Sequence, residues 1–549
     1  MPQSWIVLIP PLAVLLVGSL TKRIKIALLT GIFSAAYIAT NFSFISAFQL
    51  GLIRIWNETG IGDLLAWSEY FRNLYIFAFL LLLGILIALM TYSGGIPAYA
   101  AFLRRRIHST DQAERASLLL SCCFIIDDYF NSLAVGSIMH PLTDLFRIPR
   151  IKLAFLIDAM SAPLCILVPI TSWVAIVTMQ LENGGISTEL SQNPLIISDP
   201  FQVYLYTIPY IFYSFIVMAS AYFIVKKRIS FGLMYHQETI AQNSGNLFGN
   251  KPPLKHAISF PDNHRGSLWD FLFPTIILAG TVILMLLYTG DASLFCGQRS
   301  LLQAITHADI FFSLFMASIL ASVLTAGFLL IRKKITMGQL PRIISEGIQL
   351  MFNTVLVLIL AWAFSTLLKD DIQTGVYVAH KLMGTVHIQF APVIFFLITA
   401  VTSLITGSSW GTIAIMIPFA IPMLITLLKV AIPTTIAMVP SLLPSLGAII
   451  SGAVIGDHLS MLSDTTLMSS VSSGSYHTDH IKAQFPYITA IGIATATAFL
   501  IAGFLVPYHP IISVALSLGI GMLISFTLLT LSNNFGKNKP YGASEKSSL

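Results

Sequence analysis

Long apolar runs separated by short polar stretches dominate this chain. Plain runs of spanning length lie near 5–20, 24–42, 73–92, 204–225, 269–289, 309–331, 346–368, 485–505 and 511–532. A membrane-spanning helix needs roughly 20 apolar residues, so each run predicts one crossing. Two further runs, 152–180 and 441–470, are as long but carry polar residues inside them, and predict broken helices. Two more, 115–146 and 389–425, have a polar break near the middle. Their arms of about 10–18 residues are short for a span and predict re-entrant hairpins. The expected fold class is an all-α polytopic membrane protein of about 11 crossings, two hairpins and two broken helices.

Charge supports that division. With the N-terminus outside, all of the 30 Lys and Arg except Arg54, Arg72, Arg299, Lys369, Lys381 and Lys429 face the cytoplasm. Making either hairpin a full crossing inverts everything after it and destroys this bias. The organisation read from the pattern is therefore as follows. Scaffold helices occupy 1–72. Repeat 1 spans 73–226, with its hairpin at 115–146 and its broken helix at 152–180. A cytoplasmic loop covers 227–268 and further scaffold helices 269–345. Repeat 2 spans 346–505, with its hairpin at 389–425 and its broken helix at 441–470. A last helix fills 506–532, and 533–549 is a disordered cytoplasmic tail.

The two halves repeat in order: helix, hairpin, broken helix, helix. Asp127-Asp128-Tyr129-Phe130-Asn131-Ser132 lies over Gly407-Ser408-Ser409-Trp410-Gly411-Thr412, and Asp158–Ser172 over Gly456–Ser470. The first hairpin enters from inside and the second from outside. That is an inverted-topology repeat, an architecture of secondary transporters.

Composition sharpens this picture. Hydrophobic residues make up 56% of the chain and charged ones only 10%, far below a soluble domain. The net charge of +6 comes from basic residues between apolar runs, so nucleic acid is not an expected partner; membrane lipids are, and a homodimer stays open. The four cysteines (Cys122, Cys123, Cys165, Cys296) have no paired spacing, and three of them lie in apolar segments and read as small core residues. No Walker motif occurs, and no cofactor is expected.

A charge at membrane depth costs at least about 2.5–3.5 kcal/mol and marks a pathway or site. Four constellations qualify. At the first hairpin tip, Asp127, Asp128, Asn131 and Ser132 combine carboxylate, amide and hydroxyl oxygens that suit a hard cation; the bland alternative is capping of the second arm. Asp158 and Ser161 precede Pro163, which frees a helix carbonyl; the alternative is a structural ion pair. Ser408, Ser409 and Thr412 offer hydroxyls at the second tip, or simply bond their own backbone. The densest cluster is Asp457, His458, Ser460, Asp464, Thr465 and Thr466. There Asp457, Ser460 and Asp464 share one face if the segment stays helical. His458 reads more readily as a fixed partner of an acid than as a proton carrier. Glu346, Asp144 and Glu114 lie near membrane edges and read as solvated.

These residues resemble the NhaC-type Na⁺/H⁺ antiporter family over most of the chain. The strings that carry the resemblance are Asp127–Leu133, Ala162-Pro163, Thr171-Ser172-Trp173, Gly407–Thr412, Gly456–Thr466 and Gln484-Phe485-Pro486-Tyr487. It implies exchange of Na⁺ for H⁺, with some relatives exchanging organic acids. The family pattern has Pro after the first serine of the Gly456–Thr466 string, where this chain has Met461. The break must then come from Gly456 and the hydroxyls, or be milder. The function expected is a bacterial inner-membrane secondary transporter in which Na⁺ and H⁺ compete for an acid among Asp158, Asp457 and Asp464. The alternatives are a Na⁺- or H⁺-coupled carrier of organic acids or amino acids and, from another class, an intramembrane aspartyl hydrolase or a channel.

Overall fold

The computed structural model describes residues 5–536, apart from 22, 63–71, 96–97, 100–101, 103–104, 126, 170, 190–192, 255–265, 296, 302–303, 305–307, 375–376, 378–386, 462 and 506–509. The described chain is almost entirely helical. Three helices open it: α1 (Ile9–Thr21), α2 (Ile24–Ala39) and α3 (Phe44–Glu58). Next come α4 (Arg72–Tyr92), then α5 (Thr110–Ser121) and α6 (Asp128–Leu145) as the arms of the first hairpin. The broken helix of this half is α7 (Arg150–Asp158), α8 (Ser161–Cys165) and α9 (Ser172–Asn183). After α10 (Pro200–Thr207), α11 (Phe212–Lys227) and α12 (Gly232–Ser244) come α13 (Trp269–Thr289), α14 (Ile310–Ile331) and α15 (Leu340–Thr366). The second hairpin is α16 (Ala391–Thr406) and α17 (Ser409–Leu428), and its broken helix is α18 (Leu442–Leu459) and α19 (Asp464–Ser473). Helices α20 (His477–Leu505) and α21 (Pro510–Gly536) close the chain.

Among the described residues, nine helices are long and apolar enough to cross a membrane, or ten if one bent pair counts as a span. The protein is a multi-pass, all-α membrane protein. Both arms of the second hairpin pass that test. At 20 residues, α17 is longer than the short arm expected for it.

Several expectations need correction. The run 204–225 is not a plain helix: α10 and α11 are bent by 42° about Ile211. The stretch 227–268 is not only loop, because α12 fills 232–244 and packs on α20. The last helix runs beyond 532 to Gly536, and the Asn533 carboxamide oxygen accepts the Ser230 N–H at 3.0 Å. Residues 537–549 lie outside the described chain. Helix α3 falls where the apolar pattern placed no element, and Arg54 on it forks onto Asp371 at 2.8 and 3.1 Å.

The first helices of the two halves form an antiparallel pair. Phe77 stacks on Trp362 at 5.0 Å, Gly84 faces Gly347, and Tyr92 donates to Glu346 at 2.8 Å. Small residues at such crossings let backbones approach where lipid removes the hydrophobic drive. The hairpins cross over between halves. Arm α6 of the first hairpin lies parallel to α19, with Ser132 against Ser469 and Gly136 against Ser472. Arm α17 of the second lies parallel to α9, with Trp173 against Trp410 and Gly184 against Ile421. Each hairpin thus grips the second piece of the other half's broken helix.

Candidate ion-binding site

Asp158 is the last residue of α7 and is fully buried. It accepts hydrogen bonds from Thr466 Oγ1 at 2.9 Å, Ser469 Oγ at 3.3 Å and Gln484 Nε2 at 3.0 Å. All three donors are neutral. They come from α19 and α20, so one carboxylate of the first half is held by hydroxyls and an amide of the second. Asp457, near the end of α18, accepts from Thr465 Oγ1 at 2.7 Å. Adjacent residues of α19 therefore hold the two acids.

The break that makes this possible is complete despite Met461. After Leu459 the chain turns extended at Ser460 (φ −86°, ψ 134°), and α19 restarts with Ser463 as its cap, Oγ accepting the Thr466 N–H at 3.0 Å. A serine N-cap satisfies one of the orphan donors of a new helix, and here two serines do what the family's proline would. Gly456 has another task. It lies inside α18, where a Cβ would collide with the Ala400 carbonyl and Ser403 of α16. The break also overturns the shared-face reading: Asp457, Ser460 and Asp464 do not lie on one helix. Asp464 opens α19, and its side chain lies outside the described residues.

At the first tip, Asn131 closes the turn by donating to the carbonyls of Ser121 (2.8 Å) and Phe124 (3.2 Å). Asp127 accepts from Ser172 Oγ at 3.1 Å, joining the tip to the start of α9. Asp128 accepts its neighbour's N–H from Tyr129 on Oδ1, and its buried carboxylate also faces the Trp173 indole. Asp127 and Asp457 are the carboxylates within electrostatic reach of Asp128. Ser132 receives Ser469 Oγ on its hydroxyl at 3.4 Å and Ser472 Oγ on its carbonyl at 2.8 Å. At the second tip, Gly407 takes the left-handed conformation (φ 66°) that ends α16. Ser408 caps α17 by accepting the Gly411 N–H at 3.2 Å, and Thr406 and Thr412 share a 3.1 Å hydrogen bond. Ser409 is buried at the start of α17. Aromatic rings join the tips: Tyr129 and Trp173 both meet Trp410 edge to face, at 6.0 and 5.9 Å.

The predicted residues thus fall into a hub and a periphery. Asp158, Asp457, Thr465, Thr466 and Ser132 lie at or one hydrogen bond from the meeting point of α6, α7, α18 and α19. Ser161 stays local, donating at 3.5 Å to the Asp158 carbonyl. Ser408 spends its oxygen on a cap. His458 meets a phenol and not the acid expected for it: its Nδ1 lies 2.8 Å from Tyr213 Oη of α11. Sequence reasoning missed Gln484, Ser469 and Ser172. An amide in an apolar run signals the first, but serines near a helix start carry no such mark. Glu114 was misread as solvated; it is buried and pairs with Lys152 at 2.9 Å and Arg228 at 3.0 Å. Asp144 is tied to Arg150, and only Glu346 is exposed, paired with Arg342.

The Na⁺/H⁺ antiporter family matches residues 164–504. The chain belongs to this family. As a member of the Na⁺/H⁺ antiporter family it is a secondary transporter, not an enzyme, and the resemblance to NhaC-type proteins read from its motifs stands. The match takes in the second half with Asp457, Thr465 and Thr466, and begins after Asp158. A Haemophilus influenzae protein described as uncharacterized is 28% identical over 499 residues, covering 90% of each chain. Among solved structures, the Alcanivorax borkumensis YdaH transporter overlays with a TM-score of 0.44 at 17% identity, covering 88% of this chain and 89% of that one. Neisseria gonorrhoeae MtrF, described as illuminating a class of antimetabolite efflux pumps, overlays at 0.40 and 13% identity, over 82% and 84%.

Proposed function

We propose that this antiporter exchanges Na⁺ for H⁺ at Asp158 and Asp457, each carboxylate holding either a proton or the cation. The observation that carries the reading is the set of partners on Asp158: among the described residues, a buried carboxylate held only by neutral hydroxyl and amide donors. Such donors steady the acid without neutralising it, so a mobile cation or proton must supply the charge. The oxygens of Thr465, Thr466 and Ser469, with the carbonyls released where α7 and α18 end, suit a hard cation. The grip of each hairpin on the other half's broken helix supports an inverted repeat moving as one body against α4 and α15. Purified protein in proteoliposomes tests this: a Na⁺ gradient should drive proton movement reported by a pH dye, with Li⁺, K⁺ and small carboxylates as comparisons. Proton movement indifferent to Na⁺ would end the reading.

One observation favours a second substrate. The buried indole N–H of Trp410 makes no hydrogen bond among the described residues, although it stands beside the second hairpin tip. A small organic anion would satisfy it, whereas the Trp173 indole already faces the Asp128 carboxylate. Na⁺-coupled uptake of a labelled carboxylate in the same vesicles separates the two readings.

The N-outside, C-inside orientation in a bacterial inner membrane remains part of this proposal, carried by the Lys and Arg bias. Labelling of single cysteines at the two ends in intact cells tests it.

A further inference from the structure

Ser470, one turn beyond Thr466 on α19, has a single hydroxyl proton and three neighbours to share it with. Its Oγ lies 2.8 Å from the Thr466 carbonyl, 2.9 Å from His480 Nδ1 and 3.0 Å from His477 Nδ1. The other nitrogen of His477 faces the Met461 carbonyl at 3.1 Å and must carry a hydrogen to bond it. Counting hydrogens gives one fully bonded arrangement with both rings neutral: Ser470 donates to His477 Nδ1 and His480 Nδ1–H donates to Ser470. With one proton more, His477 carries hydrogens on both nitrogens and donates to Ser470, which then donates to the Thr466 carbonyl or to His480 Nδ1. In the last case the His480 hydrogen stands on Nε2. His477 is half-exposed, so water can deliver it; Ser470 and His480 are buried.

The chain continues inward. His480 Nε2 and Gln484 Oε1 are buried and face each other one turn apart on α20. The other end of the Gln484 amide holds Asp158. We propose that His477, Ser470 and His480 form the proton route between water and the Asp158 carboxylate, with Gln484 as the positioning residue at its inner end. The proposal rests on the exchange reading above.

In the inward step, the proton on His477 Nδ1 passes to Ser470 Oγ as the serine's own proton passes to His480 Nδ1. His480 then releases the hydrogen on Nε2 to a water held by Gln484 Oε1, and that water gives one to Asp158. One proton is carried inward; the Ser470 O–H is broken and remade, His480 ends with its hydrogen on Nδ1 in place of Nε2, and the outward step reverses both changes. The surrounding charges are few. Asp158 on α7, His458 on α18 and His477 itself act on His480. Asp479 beside them is taken up by Lys251 at 2.7 Å, and Glu238 of α12 by Lys152. The described side chains of α19 are uncharged, and α16 and α21 carry no titratable residue.

The test uses full-length protein in proteoliposomes and two fluxes from the same vesicles: Na⁺-driven proton movement, and exchange of radiolabelled Na⁺ for Na⁺, which needs no proton. His477→Ala and His480→Ala should each slow proton movement by about tenfold or more while Na⁺/Na⁺ exchange keeps its wild-type rate. Added imidazole should restore part of the His480→Ala flux. His480→Gln, which can hydrogen-bond but not titrate, should stay slow. Proton movement at the wild-type rate in the alanine variants overturns the route. So does a parallel fall of both fluxes, or recovery by His480→Gln, since each marks a structural role. A wild type that shows Na⁺/Na⁺ exchange but no Na⁺-driven proton movement overturns the exchange reading and the route with it.

Discussion

Asp158 and Asp457, one from each half of the chain, are held by neighbouring threonines of one helical turn: Thr466 donates to Asp158 and Thr465 to Asp457. The start of α19 is therefore a shared support. A cation or proton that pulls one carboxylate away from its threonine shifts the turn that holds the other, and this couples the two acids through backbone as well as through charge.

Thr465→Val and Thr466→Val keep the side-chain shape and remove one donor each. A hydrogen bond to a charged group contributes roughly 1.5–3 kcal/mol, which corresponds to about ten- to a hundredfold in an equilibrium constant. Each variant should raise the Na⁺ concentration for half-maximal exchange by about that factor, with protein yield unchanged. Because both donors stand on one turn, the double variant should depart from the product of the single effects. Multiplicative effects would show the two acids to be independent.

Asp457→Asn and Asp158→Asn keep volume and polarity but remove the charge for which cation and proton compete in the proposed exchange. Both should abolish Na⁺-dependent collapse of a pH gradient in everted vesicles. If Asp457→Asn exchanged at near-wild-type rate, Asp457 would leave the mechanism and Asp158 would stand alone.

Much of this arrangement is legible in the sequence, for a physical reason: the bilayer penalises acids in apolar runs, so Asp127, Asp128, Asp158 and Asp457 advertise themselves. Broken helices are equally legible, because polar residues interrupt their apolar runs; run length misleads at the second hairpin, whose two arms are each long enough to span. What the sequence hides is partner choice. Nothing in the string Asp464-Thr465-Thr466 says that successive hydroxyls turn to different helices, because that depends on α7 ending where α19 begins. Glu114 was misread for a related reason. It stands near the start of a helix, where solvation is the usual outcome, and the packing of α7 and α11 against α5 buries it beside Lys152 and Arg228. Helix α3 escaped because its apolar positions alternate with Gln49, Arg54 and Asn57 and never make a spanning run.

The close approach of α16 and α18 has its own test. Gly452 and Gly456 of α18 lie against the carbonyls of Phe396 and Ala400, and Ser403 Oγ donates to the Ala453 carbonyl at 2.6 Å. A side chain at Gly456 meets backbone, which cannot swing aside. Gly456→Val should push α16 outward, displace Asp457 and lower both the thermal midpoint and exchange. Gly327→Val, at a helix position with open space around it, should leave both unchanged.

Lys152 supplies the last prediction. It is buried and held between Glu114 of α5 and Glu238 of α12, while Arg228 also pairs with Glu114. The cluster pins the first hairpin arm, the start of α7 and the connecting helix together beside a cavity of about 490 Å³. Removing one partner of a buried ion pair strands the other charge and costs about 3–5 kcal/mol. Lys152→Met strands Glu238 and leaves Glu114 to Arg228 alone, so it should lower the midpoint of thermal unfolding in detergent sharply. Glu238→Gln added to Lys152→Met removes the stranded charge and should recover part of the loss, whereas Glu346→Gln, at an exposed pair, should recover none. Recovery by Glu238→Gln but not by Glu346→Gln would tie the stability to this one cluster. Equal effects of the two would mean that Lys152 acts through packing of its methylene chain instead.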